Sequence, residues 1–138
     1  MIELLTDGEA IEPTSLLSLY RDHDWWTDRT ADDVERAIEE SDIVVGIEDD
    51  GRLIASARVL TDYVYYASIY DVIVAADRRG EGLGQRLVGA VVEHPEMASV
   101  EAVYLDCESD LVPFYESAGF TSRDLGSDFE TMVLRDDR

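Results

Sequence analysis

The sequence predicts an α+β protein, or α/β on a loose definition. The expected form is a mixed sheet with a central antiparallel meander, one parallel pair and helices on both faces. Three observations predict it. Apolar, β-branched runs at residues 43–47, 53–60 and 65–74 follow one another through short turns, as antiparallel neighbours do. A further run at 103–107 is separated from the third by a segment of helical period, and a strand–helix–strand order with that crossover implies a parallel pair. The remaining apolar residues recur at helical spacing. With 138 residues the chain is expected to form one domain, 1–138.

Each element has its own signal. Residues 2–6 alternate weakly and read as a first strand. Pro13 ahead of Leu16, Leu17 and Tyr20 marks a short helix with proline in its first turn. A polar, aromatic connection follows, Arg21-Asp22-His23-Asp24-Trp25-Trp26. Thr30 then opens a capped helix carrying Ala31, Val34, Ala37 and Ile38. Asp50-Gly51 is a two-residue hairpin signal requiring positive φ, with Ala55, Ala57 and Val59 on one face of the returning strand. Leu83, Leu87, Val88 and Val91 make a helical stripe that Pro95 stops after His94. Residues 110–118 predict a last helix, capped by Ser109 or Asp110, with Pro113 in its first turn and Gly119 as its stop. Residues 120–122 and 129–134 read as closing strands.

Charge sets limits on function. Acidic residues number 32 against 11 basic ones, all arginine, for a net charge of −21. The acids are spread along the whole chain, as in a surface adapted to high salt, where a Debye length of about 3 Å at 1 M screens self-repulsion. A dedicated cationic partner is the rival explanation. No basic face is available for nucleic acid. No run approaches the roughly 18 apolar residues of a membrane span, and the first residues lack the pattern of a secretory leader, so a cytoplasmic setting is expected. The single cysteine, Cys107, leaves no internal disulfide or cysteine-based metal site and reads as a small buried hydrophobe.

The chemistry concentrates where the third strand runs into Arg78-Arg79-Gly80-Glu81-Gly82-Leu83-Gly84-Gln85. A strand, a glycine-rich turn and a helix start form an anion cradle, because glycine lets backbone N–H groups approach a ligand and the helix dipole favours negative charge. A P-loop would need lysine, which the chain lacks. A dinucleotide fingerprint would need glycine where Gln85 stands. The spacing is Arg79-x-x-Gly82-x-Gly84, and further along comes Pro113-Phe114-Tyr115-Glu116-Ser117-Ala118-Gly119-Phe120. Together these two segments resemble the GCN5-related N-acetyltransferases, the GNAT superfamily, over nearly the whole chain. The stretch Ala57-Arg58-Val59-Leu60-Thr61-Asp62, with Asp71-Val72-Ile73-Val74, resembles a branch of small uncharacterised members.

The resemblance implies acetyl-CoA as cosubstrate, no metal, and direct acetyl transfer to a primary amine in a ternary complex. Backbone groups of Arg79, Gly80, Glu81, Gly82, Leu83, Gly84 and Gln85 would hold the pyrophosphate. Arg78, Arg79 and Arg86 would add charge beside the loop. Val72, Ile73 and Val74 would pair with the pantetheine arm, one N–H polarising the thioester carbonyl. Tyr115 would be the general acid for the departing thiolate. Asp71 is the first choice of general base, with Asp62, Glu48, Asp106, His23 and His94 behind it. Trp25, Trp26 and Asp62 would face the acceptor, a small-molecule or peptide amine, and Tyr63, Tyr65, Tyr66 and Tyr70 would complete an aromatic wall. One departure is Glu108, where members often carry asparagine seven residues before the tyrosine. A homodimer is an implied arrangement. A catalytically silent CoA-binding or interaction module on the same fold is the alternative function.

Overall fold

The computed structural model describes residues 1–23, 26–107 and 109–121. The chain divides into two units, Met1–Cys107 and Glu108–Arg138. The first unit holds a five-stranded sheet in sequential order: β1 (Ile2–Leu5), β2 (Ile43–Asp49), β3 (Arg52–Thr61), β4 (Tyr66–Val74) and β5 (Ala102–Leu105). Neighbours are antiparallel until β4 and β5, which run parallel, as the meander and the crossover predict. Among its described residues this unit holds three α-helices: α1 (Pro13–Tyr20), α2 (Ala31–Glu40) and α3 (Leu83–Val92).

Local chemistry accounts for the boundaries. Proline occupies the first turn of α1, where its missing N–H costs no helical bond. The Thr30 side chain accepts a hydrogen bond from the Asp33 N–H at 3.2 Å, fixing the start of α2. Asp50 and Gly51 turn β2 into β3 with φ of 50° and 84°. The Asp62 carboxylate accepts from the N–H groups of Val64, Tyr65 and Tyr66 at 2.8, 2.7 and 3.1 Å, closing the turn into β4.

Residues 43–47 of β2 are all buried, so both sheet faces are covered there. Val44 and Gly46 lie against the α1–α2 side, through Gly8, Ile11 and Ile38. Their cross-strand partners Arg58 and Ser56 share that face. Val45, Ile47, Ala55, Ala57 and Val59 line the opposite face, each 0–1% exposed. There α3 supplies the cover with Leu87, Val88 and Val91, likewise 0–1% exposed. Burying each of the larger side chains stabilises by about 1.5–3 kcal/mol. Among the described residues no helix is long and apolar enough to cross a membrane.

Some details depart from expectation. The α3 helix ends at Val92, and a 3-10 turn at Pro95–Met97 follows, capped by the His94 ring. Cys107 is exposed beyond the end of β5 rather than buried. In the second unit the helix begins later than expected: a 3-10 turn at Ser109–Leu111 leads into α4 (Val112–Ser117), with Leu111 at the cap position and no side-chain cap. Gly119 ends it at φ 98°. Phe120 and Thr121 are not in a strand, and the rest of the two expected closing strands lies outside the described residues.

Candidate functional site

The glycine loop is built as an open cradle. After β4 the Ala75 N–H donates to the Ile54 carbonyl at 2.8 Å, and a 3-10 turn at Ala76–Arg78 swings the chain toward α3. Gly80 and Gly82 have φ of 82° and 79°, and a Cβ at either would meet nothing within 4 Å. The need for glycine is therefore in the backbone angle, not in crowding. The Arg86 N–H is bonded to the Gly82 carbonyl at 3.1 Å, closing the first turn of the helix. Among the described residues, no N–H from 79 to 85 has a well-formed hydrogen bond to the protein. These seven donors, at the positive end of a ten-residue helix, suit a polyanion.

The strand leading into the loop is open along one side. Parallel pairing of β4 with β5 ends at Ile69 and Leu105, so residues 70–74 have no β5 partner. At the same place β4 carries a bulge: Asp71 and Val72 together stand opposite Ala57, between the pairs Arg58–Tyr70 and Ser56–Ile73. Asp71 sits at φ 55°, a left-handed conformation that aspartate tolerates better than most residues. Val72, Ile73 and Val74 thus occupy a strand segment that no described strand pairs on its β5 side, beginning at the bulge and running into the cradle.

The loop arginines take different roles. The Arg78 Nε donates to both Glu81 oxygens at 3.1 and 3.0 Å, and its Nη1 to Asp49 at 2.9 Å. Those two acids hold its guanidinium well above the ordinary value, Glu81 most strongly. Arg78 is therefore a brace tying the loop to the end of β2, rather than a charge offered to a ligand. The Arg79 Nη2 lies 2.7 Å from the Nε2 of His23. A guanidinium has only donors, so at this contact the ring nitrogen is the accepting partner. Arg86 is exposed and has no acidic partner among the described residues.

Asp71 is the centre of a second cluster. Its Oδ2 accepts from Arg29 Nη1 and from Arg58 Nε, both at 2.8 Å, and its Oδ1 from Arg29 Nη2 at 3.3 Å. Burial pushes the Asp71 carboxyl up, but the hydrogen bonds and charges of Arg29 and Arg58 outweigh it and hold the group below the ordinary carboxylate value. A carboxylate so committed is a weaker proton acceptor than a free one, and its contacts brace the two arginines. The Tyr20 hydroxyl faces the same carboxylate, and burial, with the negative charge of Asp71, pushes its pKa up to about 12. The Arg29 guanidinium stacks over the rings of Tyr20 and Trp26, at 4.7 and 4.6 Å from their centroids. Arg58 lies 5.6 Å from the ring centroid of Tyr70.

Of the expected acceptor residues, Trp26 joins this cluster, packed edge-on against Tyr20 at 5.1 Å and tilted on His23 at 5.5 Å. Trp25 lies outside the described residues. Asp62 is exposed, and three backbone donors hold its carboxyl below the ordinary value, so it shapes a turn. Tyr63, Tyr65 and Tyr66 are exposed about that turn, and of the four tyrosines only Tyr70 reaches the cluster. Tyr115 belongs to α4 in the second unit, where it is 7% exposed and packs edge-on against Phe114 and Phe120 at 4.9 and 6.1 Å. No group of three metal-ligating side chains occurs among the described residues. Sequence reasoning missed the roles of Tyr20, Arg29 and Arg58. The usable signal was one charge inside each of the neighbouring apolar runs 53–60 and 65–74, Arg58 and Asp71, of opposite sign.

Comparison with known proteins places this arrangement. Residues 9–120 match the model of the acetyltransferase (GNAT) family. The chain belongs to the GNAT family. A solved structure from Xanthomonas campestris pv. campestris, described as belonging to that family, superposes with a TM-score of 0.81 at 30% identity, covering 97% of this chain and 94% of that one. One from Deinococcus radiodurans R1 gives 0.79 at 29% identity, covering 97% and 87%. Among curated relatives, the uncharacterized N-acetyltransferase ycf52 of Pyropia yezoensis is 28% identical over 99 residues, 69% of this chain and 57% of that protein. The glucosamine 6-phosphate N-acetyltransferase 1 of Oryza sativa subsp. japonica is 33% identical over 81 residues, 54% of this chain and 49% of that protein. The GNAT chain thus spans between about half and three fifths of the length of these curated relatives.

Proposed function

We propose that this GNAT protein transfers the acetyl group of acetyl-CoA directly to a primary amine. The observation that carries the reading is the run of N–H groups at residues 79–85, none with a well-formed hydrogen bond among the described residues, which suits a pyrophosphate. The β5 side of Val72, Ile73 and Val74, which no described strand pairs, suits an extended amide-bearing arm that would pair with it as a strand does, and would offer a backbone donor to the thioester oxygen. When bound, acetyl-CoA supplies an activated acyl carbon. The neutral amine nitrogen bonds to that carbon and gives up one proton to solvent, the carbon–sulfur bond breaks, and the sulfur takes a proton. Tyr115 is assigned the donation of that proton, and Asp71 the positioning of Arg29 and Arg58.

Release of free thiol from acetyl-CoA across a panel of primary amines tests the activity. Amine-dependent release is expected, whereas a silent CoA-binding module would bind acetyl-CoA and release nothing. Tyr115→Phe is expected to lose most of its turnover, about 100-fold, with unchanged affinity for CoA. Wild-type turnover by that variant at saturating substrate would remove Tyr115 from the role.

A further inference from the structure

The structure assigns a class to the acceptor: we infer that the amine carries an anionic oxygen group, carboxylate or phosphate, held by Arg58 together with Arg29. The inference rests on the transfer reading above, since it names what that site takes.

Charge count is the first support. Two guanidiniums share one carboxylate, Asp71, with side chains 29, 23 and 11% exposed for Arg29, Arg58 and Asp71. The cluster is therefore left with one positive charge inside a chain of net charge −21. Scarcity of acid is not the reason, because 32 acidic residues face 11 basic ones. Arg78, whose side chain is 20% exposed, meets both Asp49 and Glu81. Arg29 and Arg58 together meet one acid. Partly burying a second guanidinium without its own counter-charge costs desolvation that bracing the bulge does not require, since Arg29 already grips Asp71 with two nitrogens.

Donor count is the second. A guanidinium has five N–H donors. Arg58 uses its Nε on Asp71, so the four on its terminal nitrogens have no acceptor among the described residues. No buried side-chain polar atom among the described residues lacks a partner, so these four donors reach solvent. They form a planar fork of the kind that takes carboxylate or phosphate through paired bonds.

Position is the third. Arg58 stands opposite Tyr70 and grips Asp71, the residue before Val72, so the fork lies beside the strand segment assigned to the thioester arm. The rings of Tyr20 and Trp26 lie against the Arg29 guanidinium and that of Tyr70 beside Arg58, so apolar surface adjoins the two cations. An amine with an anionic group a few bonds from its nitrogen fits both requirements: charge held at the fork, nitrogen delivered to the open edge.

The test uses matched amines at low salt: β-alanine beside β-alaninamide, and phosphoethanolamine beside ethanolamine, the two pairs separating carboxylate from phosphate. Thiol release is followed for wild type, Arg58→Gln and Arg58→Lys, and calorimetry follows binding of each amine to protein without acetyl-CoA. The anionic member of at least one pair is expected to exceed its neutral partner in kcat/KM by about tenfold or more. In Arg58→Gln that advantage should fall to within about twofold, through KM, the anionic member losing more than its neutral partner; Arg58→Lys should recover part of it. Thiol release that ignores the acceptor's charge, or an Arg58→Gln loss equal for both members, overturns the anion site and leaves acetyl transfer standing. Calorimetric binding of an anionic member that Arg58→Gln abolishes, with no thiol release from any amine, upholds the anion site and sinks the transfer reading. The absence of both calorimetric binding of an anionic member and kinetic preference for one overturns the inference.

Discussion

The glycine loop and the Asp71 cluster both present donors to a ligand, by opposite means. In the loop the donors are backbone N–H groups from 79 to 85, and the nearby charge of Arg78 is turned inward onto Glu81 and Asp49. In the cluster the backbone is spent on a bulge, and the donors are guanidiniums that outnumber their acid. In the proposed reading the first would recognise an anion by the direction of many short bonds, the second by charge and a planar fork. Short backbone bonds survive salt that would screen a charged side chain at a distance, which matters in a chain carrying −21. The loop is thus built to be indifferent to its acidic surroundings, and the cluster to contrast with them.

The largest expected effect comes from breaking the backbone half of this contrast. Gly82 holds φ 79° at the cap of α3. A glutamine there costs about 1–2 kcal/mol in the left-handed conformation, and relief of that strain rotates the neighbouring N–H groups away from a common target. Gly82→Gln should weaken acetyl-CoA binding by about 100-fold or more in calorimetry, since several charge-assisted bonds are lost together. An affinity within about threefold of wild type in a folded variant would show that the loop backbone is not the binding element.

How much of this was legible in the sequence follows the same division. Backbone features were readable because they rest on local rules: Asp50-Gly51 for the hairpin, Thr30 for the cap of α2, alternating glycines for the cradle. Side-chain partnerships were not, because they depend on register. Arg78 read as a charge facing the ligand until the end of β2 brought Asp49 to it. Asp71 read as a free base, and only a bulge that turns it to φ 55° beside Arg58 and Arg29 commits it to an ion pair. Cys107 read as buried from the apolar run before it, but β5 stops at Leu105 and leaves it exposed.

The cluster is next in size. Asp71→Asn leaves two partly buried guanidiniums without their anion and should cost about 2 kcal/mol of stability, read from urea unfolding. The pH dependence sharpens the test. The Asp71 carboxyl lies below its ordinary value in the folded state, so its contribution is complete above the unfolded value near 4 and is lost as the pH falls through the lowered folded value. Wild type should lose stability faster than Asp71→Asn as the pH drops below about 4. Parallel curves for the two proteins would mean that the carboxylate is no better held in the folded state than in the unfolded one.

The smallest effects separate the two arginines that flank the loop. Arg78 and Arg86 are equally plausible phosphate ligands by sequence, eight positions apart on either side of the glycines. The structure makes them unequal. Arg78 fixes the path of the loop through Glu81 and Asp49, whereas exposed Arg86 has no acidic partner among the described residues. Arg78→Gln should therefore weaken acetyl-CoA binding by about three- to fivefold, and molar salt should not remove that difference, because what is lost is the shape of the cradle rather than long-range attraction. Arg86→Gln should change affinity by less than about twofold at low salt and by nothing measurable in molar salt, where exposed charge is screened. The reverse order, with Arg86 the larger loss and salt erasing it, would make the loop a charge-driven site like the Asp71 cluster and dissolve the distinction between the two regions.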